Sequence, residues 1–145
     1  MNYRDIVVRI ATPKDYRYCY NLTKRSMSVY IDKYRGGWNS SIYRKEFNPE
    51  VTKIIKRNNR RVGFYVLKKE VDHHNLDNLQ ISPLLRGKGL GSHIMRLIHR
   101  DVSRSDIPKI RLLVFKGNPA KSLYQRFNYK VIKDTGDSYK MEIIL

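Results

Sequence analysis

Apolar positions along the chain recur with two spacings, and the switches between them mark the elements. Asp5 to Ile10 reads as a first strand. Thr12-Pro13-Lys14-Asp15 then opens a helix: Thr12 is a cap, Pro13 suits the first helical position, and Asp15 can reach back to free amides. Tyr16, Cys19, Tyr20, Thr23, Met27 and Tyr30 share one helical face. Arg35-Gly36-Gly37-Trp38-Asn39 breaks that pattern, and Ser41 to Phe47 predicts a second short helix closed by Asn48-Pro49. Val51 to Lys56 and Arg61 to Lys68 read as strands joined by a turn at Arg57-Asn58-Asn59-Arg60. Glu70 to Asn75 is a polar loop, and Leu76 to Ser82 a strand with Leu79 and Ile81 on one side, Asn78 and Gln80 on the other. Pro83 to Gly91 is a glycine-rich loop before a helix from Ser92 to about Arg104, whose buried stripe is Ile94, Met95, Ile98 and Val102. Ile110 to Phe115 is a central strand. Asn118-Pro119 starts a helix carrying Ala120, Leu123, Tyr124 and Phe127. Tyr129 to Lys133 and Tyr139 to Ile144 close as a hairpin.

The order is strand, one or two helices, three strands, helix, strand, helix, two strands. It implies a mixed α/β domain of α+β type around one sheet, with residues 1–145 as a single domain. No repeat or low-complexity segment interrupts it.

Composition narrows the class. No stretch approaches a membrane span, and Met1 to Arg9 carries charge where a signal peptide would be apolar; we expect a soluble, cytoplasmic protein without membrane contact. The single cysteine, Cys19, excludes an internal disulfide and any multi-cysteine metal site. Thirty Lys and Arg against thirteen Asp and Glu leave a formal charge of +17. Such a charge attracts polyanions and repels basic partners. The basic residues are scattered from Arg4 to Lys140, and no nucleic-acid-binding signature accompanies them, so nucleic acid is a secondary partner class.

The informative segment is Pro83-Leu84-Leu85-Arg86-Gly87-Lys88-Gly89-Leu90-Gly91-Ser92, between a strand and a helix. A helix N-terminus with free amides is an anion site, and glycines at 87, 89 and 91 let backbone approach a phosphate closely. Arg86 and Lys88 add charge. The Walker pattern is absent. The dinucleotide fingerprint fails too, because its third glycine would fall on Ser92 or Ile94.

The loop resembles the acetyl-CoA motif of the GNAT superfamily of N-acetyltransferases, Arg/Gln-x-x-Gly-x-Gly/Ala, here Arg86-Gly87-Lys88-Gly89-Leu90-Gly91. A second segment, Val114 to Tyr129, is similar to the family's strand, Asn-x-x-Ala, Leu-Tyr and Gly-Phe sequence, with Asn128-Tyr129 in place of Gly-Phe. The early strand, the Thr-Pro-x-Asp helix start and Gly37-Trp38 extend the likeness over nearly the whole chain.

The resemblance implies a GNAT fold: one mostly antiparallel sheet, a splayed parallel strand pair, and helices on both faces. It implies acetyl-CoA as cofactor and an N-acetyltransferase reaction by direct attack of an amine. Leu79 and Ile81 would pair with the pantetheine arm through their backbones. Amides of Arg86, Gly87, Lys88, Gly89, Leu90, Gly91 and Ser92 would hold the pyrophosphate. Asn118 would bond the cofactor arm, cap its own helix, or do both. Tyr124 would protonate the leaving thiolate; the competing structural role is a place on its helix's buried face beside Leu123 and Phe127. Glu70, His73, His74, Asp77 or a water is the candidate base, although adjacent histidines in a polar loop are usually surface residues. Without a third ligand at a defined spacing, no metal is expected. Tyr30, Tyr34 and Trp38 are candidate walls of the acceptor site. The acceptor is expected to be a small-molecule or protein amine; the charge points away from strongly basic peptides and toward acidic or phosphorylated small molecules, or an amine presented on RNA. A non-catalytic acyl-CoA-binding fold is the remaining alternative. Family members are monomers or homodimers, and nothing in the sequence chooses.

Overall fold

The computed structural model describes residues 3–145; Met1 and Asn2, where the N-terminal reading begins, lie outside them. Among the described residues the elements run β1 (Ile6–Ile10), α1 (Tyr16–Arg35), α2 (Ser40–Glu46), β2 (Thr52–Arg57), β3 (Arg60–Lys69), β4 (His74–Ile81), α3 (Leu90–Ser103), β5 (Lys109–Phe115), α4 (Ala120–Arg126), β6 (Lys130–Asp134) and β7 (Ser138–Ile144). This is the expected mixed α/β class: seven strands with one parallel neighbouring pair, and four α-helices. No described helix is long and apolar enough to cross a membrane. Two compact units divide the residues, one of 3–66 and 78–85, the other of 67–77 and 86–145.

In the first unit the strands follow the order β1-β2-β3-β4. β1 pairs antiparallel with β2 from Ile6↔Arg57 to Ile10↔Lys53, and β2 with β3 from Thr52↔Val66 to Arg57↔Arg60. The connecting turn places Asn58 and Asn59 at φ 50° and 64°, the left-handed pair that matches strand twist in a two-residue hairpin. Thr12 and Asp15 form the expected capping box, but it closes a short 3-10 turn, Pro13–Asp15, from which α1 continues. Gly36, at φ 77°, ends α1. The core joins Ala11, Cys19, Leu22, Ile54 and Phe64, with Tyr18, Tyr43, Phe47 and Val66 packed against it. Cys19 is therefore a buried hydrophobe, its thiol pushed up to about 12 by burial.

Gly63 fixes how closely β3 and β4 lie. A Cβ there would sit 2.5 Å from the Gln80 carbonyl oxygen and 3.3 Å from Ile81 Cα. Only glycine permits that approach.

In the second unit the order is β4-β5-β7-β6. β5 pairs antiparallel with β7 along its whole length, from Lys109↔Ile144 to Phe115↔Ser138, and β6 lies outside β7 with every residue exposed. Leu90, Ile94, Met95, Ile98 and Val102 of α3 are buried, as are Ile110, Leu112 and Val114 of β5, and Met141 of β7. Asn128 takes φ 70° at the end of α4, the left-handed conformation that asparagine tolerates.

The polar loop before β4 is shorter than the sequence suggests. β4 starts at His74, and His74 is buried, its Nε2 3.2 Å from Ser105 Oγ. The expectation of a surface histidine pair is corrected for this residue: the nearby apolar Leu76 draws β4 inward two residues early, and Ser105 gives the ring a partner.

Candidate functional site

The loop before α3 has the geometry of an anion site. Gly87 and Gly89 stand at φ 72° and 86°, which turns the backbone sharply between β4 and α3. Gly89 is the N-cap of α3, no side chain caps the helix, and its first turn contains no acid. The helical ladder opens with His93 N–H donating to Gly89 C=O at 3.0 Å, so Leu90, Gly91 and Ser92 lie upstream of it. Residues Arg86 to Gly89 are exposed, whereas Leu90 is buried and anchors the turn. Partial positive charge from α3 adds to Arg86 and Lys88. A phosphate or pyrophosphate fits this constellation. Gly91 packs on α4: a Cβ there would touch Leu123 Cδ2 at 3.4 Å.

The parallel ladder between β4 and β5 is short. It consists of His74↔Ile110 and Asn75↔Arg111, and neither Leu76 nor Asp77 extends it, although β5 runs on to Phe115. After β5, Asn118 N–H donates to Phe115 C=O at 3.1 Å, and the Asn118 side-chain oxygen accepts from Ala120 N–H at 2.9 Å. Asn118 thus caps the start of α4, and its amide nitrogen has no partner among the described residues.

Tyr124 projects from α4 and is 8% exposed. Burial pushes its phenol up to about 12, so it is neutral and able to donate at pH 7. That oxygen makes no hydrogen bond to another described residue. Its ring lies 5.7 Å from that of Tyr129, whose hydroxyl is 2.8 Å from His99 Nε2. Burial holds His99 below its usual pKa, so the pair is uncharged near neutrality. The helical pattern alone did not reveal this His99–Tyr129 contact; a histidine beside the apolar stripe of α3 was its only sequence signal.

The candidate bases fare unequally. His73 Nδ1 is 2.7 Å from Asp72 Oδ1, Asp77 is bound by Lys68 Nζ at 2.7 Å and by Asn75, and His74 is held by Ser105. Glu70 is exposed, its N–H donating to His73 C=O.

Leu79, Ile81, Tyr30 and Trp38 belong to the first unit. Leu79 and Ile81 are half-buried in β4. The unexpected feature lies on the strand's other side. Gln80 is buried, its Nε2 donates to Asn78 Oδ1 at 2.9 Å, and Asn78 Nδ2 donates to Thr23 Oγ1 of α1 at 3.1 Å. Strand alternation separated the two sides but could not say that the polar one faces α1. Trp38 joins an aromatic cluster with Tyr16, Tyr20, Tyr43 and Phe47, and its indole N–H donates to the Tyr20 hydroxyl at 3.2 Å. Tyr30 is half-buried on α1, and Lys33 Nζ lies 5.1 Å from the Tyr34 ring.

The acetyltransferase (GNAT) domain family matches residues 48–131, more than half of the chain. No curated protein matches in sequence. Among solved structures, the fold is similar to the PaiA N-acetyltransferase of Thermoplasma acidophilum in complex with coenzyme A, at 17% identity and TM-score 0.76, covering 97% of this chain and 99% of that one. It is similar to an acetyltransferase of Thermus thermophilus, at 21% identity and TM-score 0.76 over 100% of both chains. It also resembles the ribosomal-protein-S18-alanine N-acetyltransferase of Escherichia coli, at 14% identity and TM-score 0.74, covering 95% of this chain and 92% of that one. The likenesses establish the fold, and the family match, which runs from before β2 to the start of β6, establishes that the chain belongs to the GNAT acetyltransferase family.

Proposed function

We propose that the chain is an N-acetyltransferase that moves the acetyl group of acetyl-CoA to an amine. The observation that carries this reading is the uncapped, acid-free start of α3 behind two left-handed glycines. There the amides from Arg86 to Ser92 would hold the pyrophosphate of coenzyme A, the ligand with which the PaiA enzyme was crystallised. Leu79 and Ile81 would align the pantetheine arm through backbone groups. Asn118 would cap α4 with its oxygen and offer its amide nitrogen to the arm. The protein would act in the cytoplasm, as a monomer or homodimer.

In the reaction the amine nitrogen attacks the thioester carbonyl carbon and the C–S bond breaks. Tyr124 gives its phenolic proton to the departing sulfur; a phenol kept neutral at pH 7, without a hydrogen bond to another described residue, supports that role. The amine's proton leaves to water or to one of Glu70, His73, His74 and Asp77. The +17 charge supports an acidic or phosphorylated acceptor, small or protein-borne, over a basic peptide.

Free-thiol release from acetyl-CoA, measured over a panel of amines at low and high salt, tests the reading. Acidic amines should outperform spermidine. Tyr124→Phe should lower kcat by about 10²-fold with little change in KM. The wild-type rate should show no alkaline fall below about pH 10, because the phenol keeps its proton there. Efficient, salt-insensitive turnover of spermidine would remove the acidic acceptor, and full activity in Tyr124→Phe would remove the acid.

A further inference from the structure

The first unit contains a cavity of about 350 Å³ lined by Lys14, Arg17, Tyr18, Asn21, Leu22, Arg25, Arg61, Ser82 and Pro83. Four of these are cations and none is an acid. Arg17, Asn21 and Arg25 recur every four residues along one face of α1, with Lys14 just ahead of them in the preceding turn. Arg61 comes from β3, and Ser82 and Pro83 follow β4.

The carboxylate that contacts this lining, at Arg61, is already committed. Asp15 is buried and takes both guanidinium nitrogens of Arg9 at 2.8 and 3.0 Å, the Thr12 N–H at 2.9 Å and Arg61 Nη1 at 3.2 Å. Those contacts hold it well below the usual carboxylate range. Asp15 therefore fixes Arg61, whose guanidinium also lies 4.7 Å from the centre of the Tyr18 ring. It leaves Lys14, Arg17 and Arg25 without a carboxylate partner among the described residues. Tyr18 lines the cavity too, while its phenol oxygen is buried and makes no hydrogen bond among the described residues.

Arg61 is paired with Asp15, and the other three cations around this small cavity repel one another until an anion enters. The guanidinium fork matches phosphate oxygens, and Asn21 and Ser82 in the same lining carry neutral donors. The cavity's size suits a small molecule, and a compact cluster, unlike an extended basic stripe, suits a terminal group. We propose that this cavity is a binding site for the phosphate monoester dianion of a small molecule. The monoester could sit on an amine acceptor or on the nucleotide of a donor, and both offer the same chemistry to these side chains.

Calorimetric titration at fixed ionic strength tests it, with inorganic phosphate, a phosphomonoester amine such as phosphoethanolamine, and the diester dimethyl phosphate. The proteins are wild type, Arg17→Ala/Arg25→Ala, and a control pair of equal charge change, Arg104→Ala/Lys130→Ala, at exposed positions. All four altered side chains are exposed, so both variants should fold, which circular dichroism verifies. Monoesters should bind wild type and the control pair alike, about tenfold more weakly in the cavity variant, and dimethyl phosphate should bind poorly throughout. Repeating the phosphoethanolamine titration with saturating coenzyme A separates the sources. Loss of binding assigns the cavity to the donor's phosphate, and retained binding assigns it to the acceptor's. Equal weakening in the two variant pairs, or equal binding of monoester and diester, would show diffuse charge and overturn the proposal. The titrations without coenzyme A stand apart from the acetyl-transfer reading, so the two can fail separately.

Discussion

Asp15 shows how much one side chain can organise. It completes the capping box with Thr12, binds Arg9 through two bonds, and holds Arg61 in the lining of the basic cavity. Its carboxyl is held below the usual range first by the Arg9 contact, against the opposing effect of burial. A depressed folded-state pKa contributes stability above the unfolded value of about 3.9, and that contribution fades as pH falls below it. Both arginines are more than a third exposed, so solvent screening limits the gain. Asp15→Asn should therefore cost about 1–2 kcal/mol at pH 7. The deficit against wild type should shrink below about pH 4, measured by urea unfolding across pH. A deficit that stays constant throughout the acid range would show that shape, and not charge, makes the contribution. The sequence made Asp15 legible as a capping residue through the Thr-Pro-x-Asp spacing. It could not reveal Arg61, which lies forty-six residues away.

Single elements were legible wherever a local rule was strong. The Asn58-Asn59 hairpin, the Gly36 helix end and the apolar stripe of α3 each follow from chemistry within a few residues, and each formed as expected. Two features depended on tertiary neighbours. His74 is buried because Ser105 receives its ring, and Gln80 is buried because Asn78 and Thr23 continue its hydrogen-bond chain. Alternation along β4 carries neither fact. The same strand makes the sharpest prediction at this scale. Gly63→Ala would drive a methyl to 2.5 Å from the Gln80 carbonyl oxygen, where backbone must give way. It should destabilise by about 2–3 kcal/mol, lowering the thermal midpoint by several degrees. Gly91→Ala is its counterpart. Its Cβ meets only the tip of Leu123 at 3.4 Å in a helix, so the variant should unfold no earlier than wild type. Equal loss in both variants would contradict the close approach of β3 and β4.

At the scale of the whole molecule, the family was readable because its motif is local. The left-handed glycines, the uncapped α3 and the Asn118 turn lie in two short segments, and their geometry agrees with the sequence pattern. The distribution of charge was not readable. A charge of +17 scattered from Arg4 to Lys140 gives no hint that Lys14, Arg17, Arg25 and Arg61 share one cavity. Only the helical repeat of α1 and the hairpin that returns β3 bring them together.

Thermal unfolding with and without acetyl-CoA tests the central claim most directly, on wild type and on Arg86→Ala/Gly89→Ala. At ligand about 100 times its dissociation constant, binding to the native state contributes roughly 2.7 kcal/mol. In a chain of this length the midpoint should rise by about 5–10 °C. The folded double variant, whose own midpoint will be lower because Gly89 is left-handed, should show a much smaller rise. No rise in wild type at millimolar acetyl-CoA, or an equal rise in both proteins, would contradict the assignment of the α3 loop as the coenzyme A site.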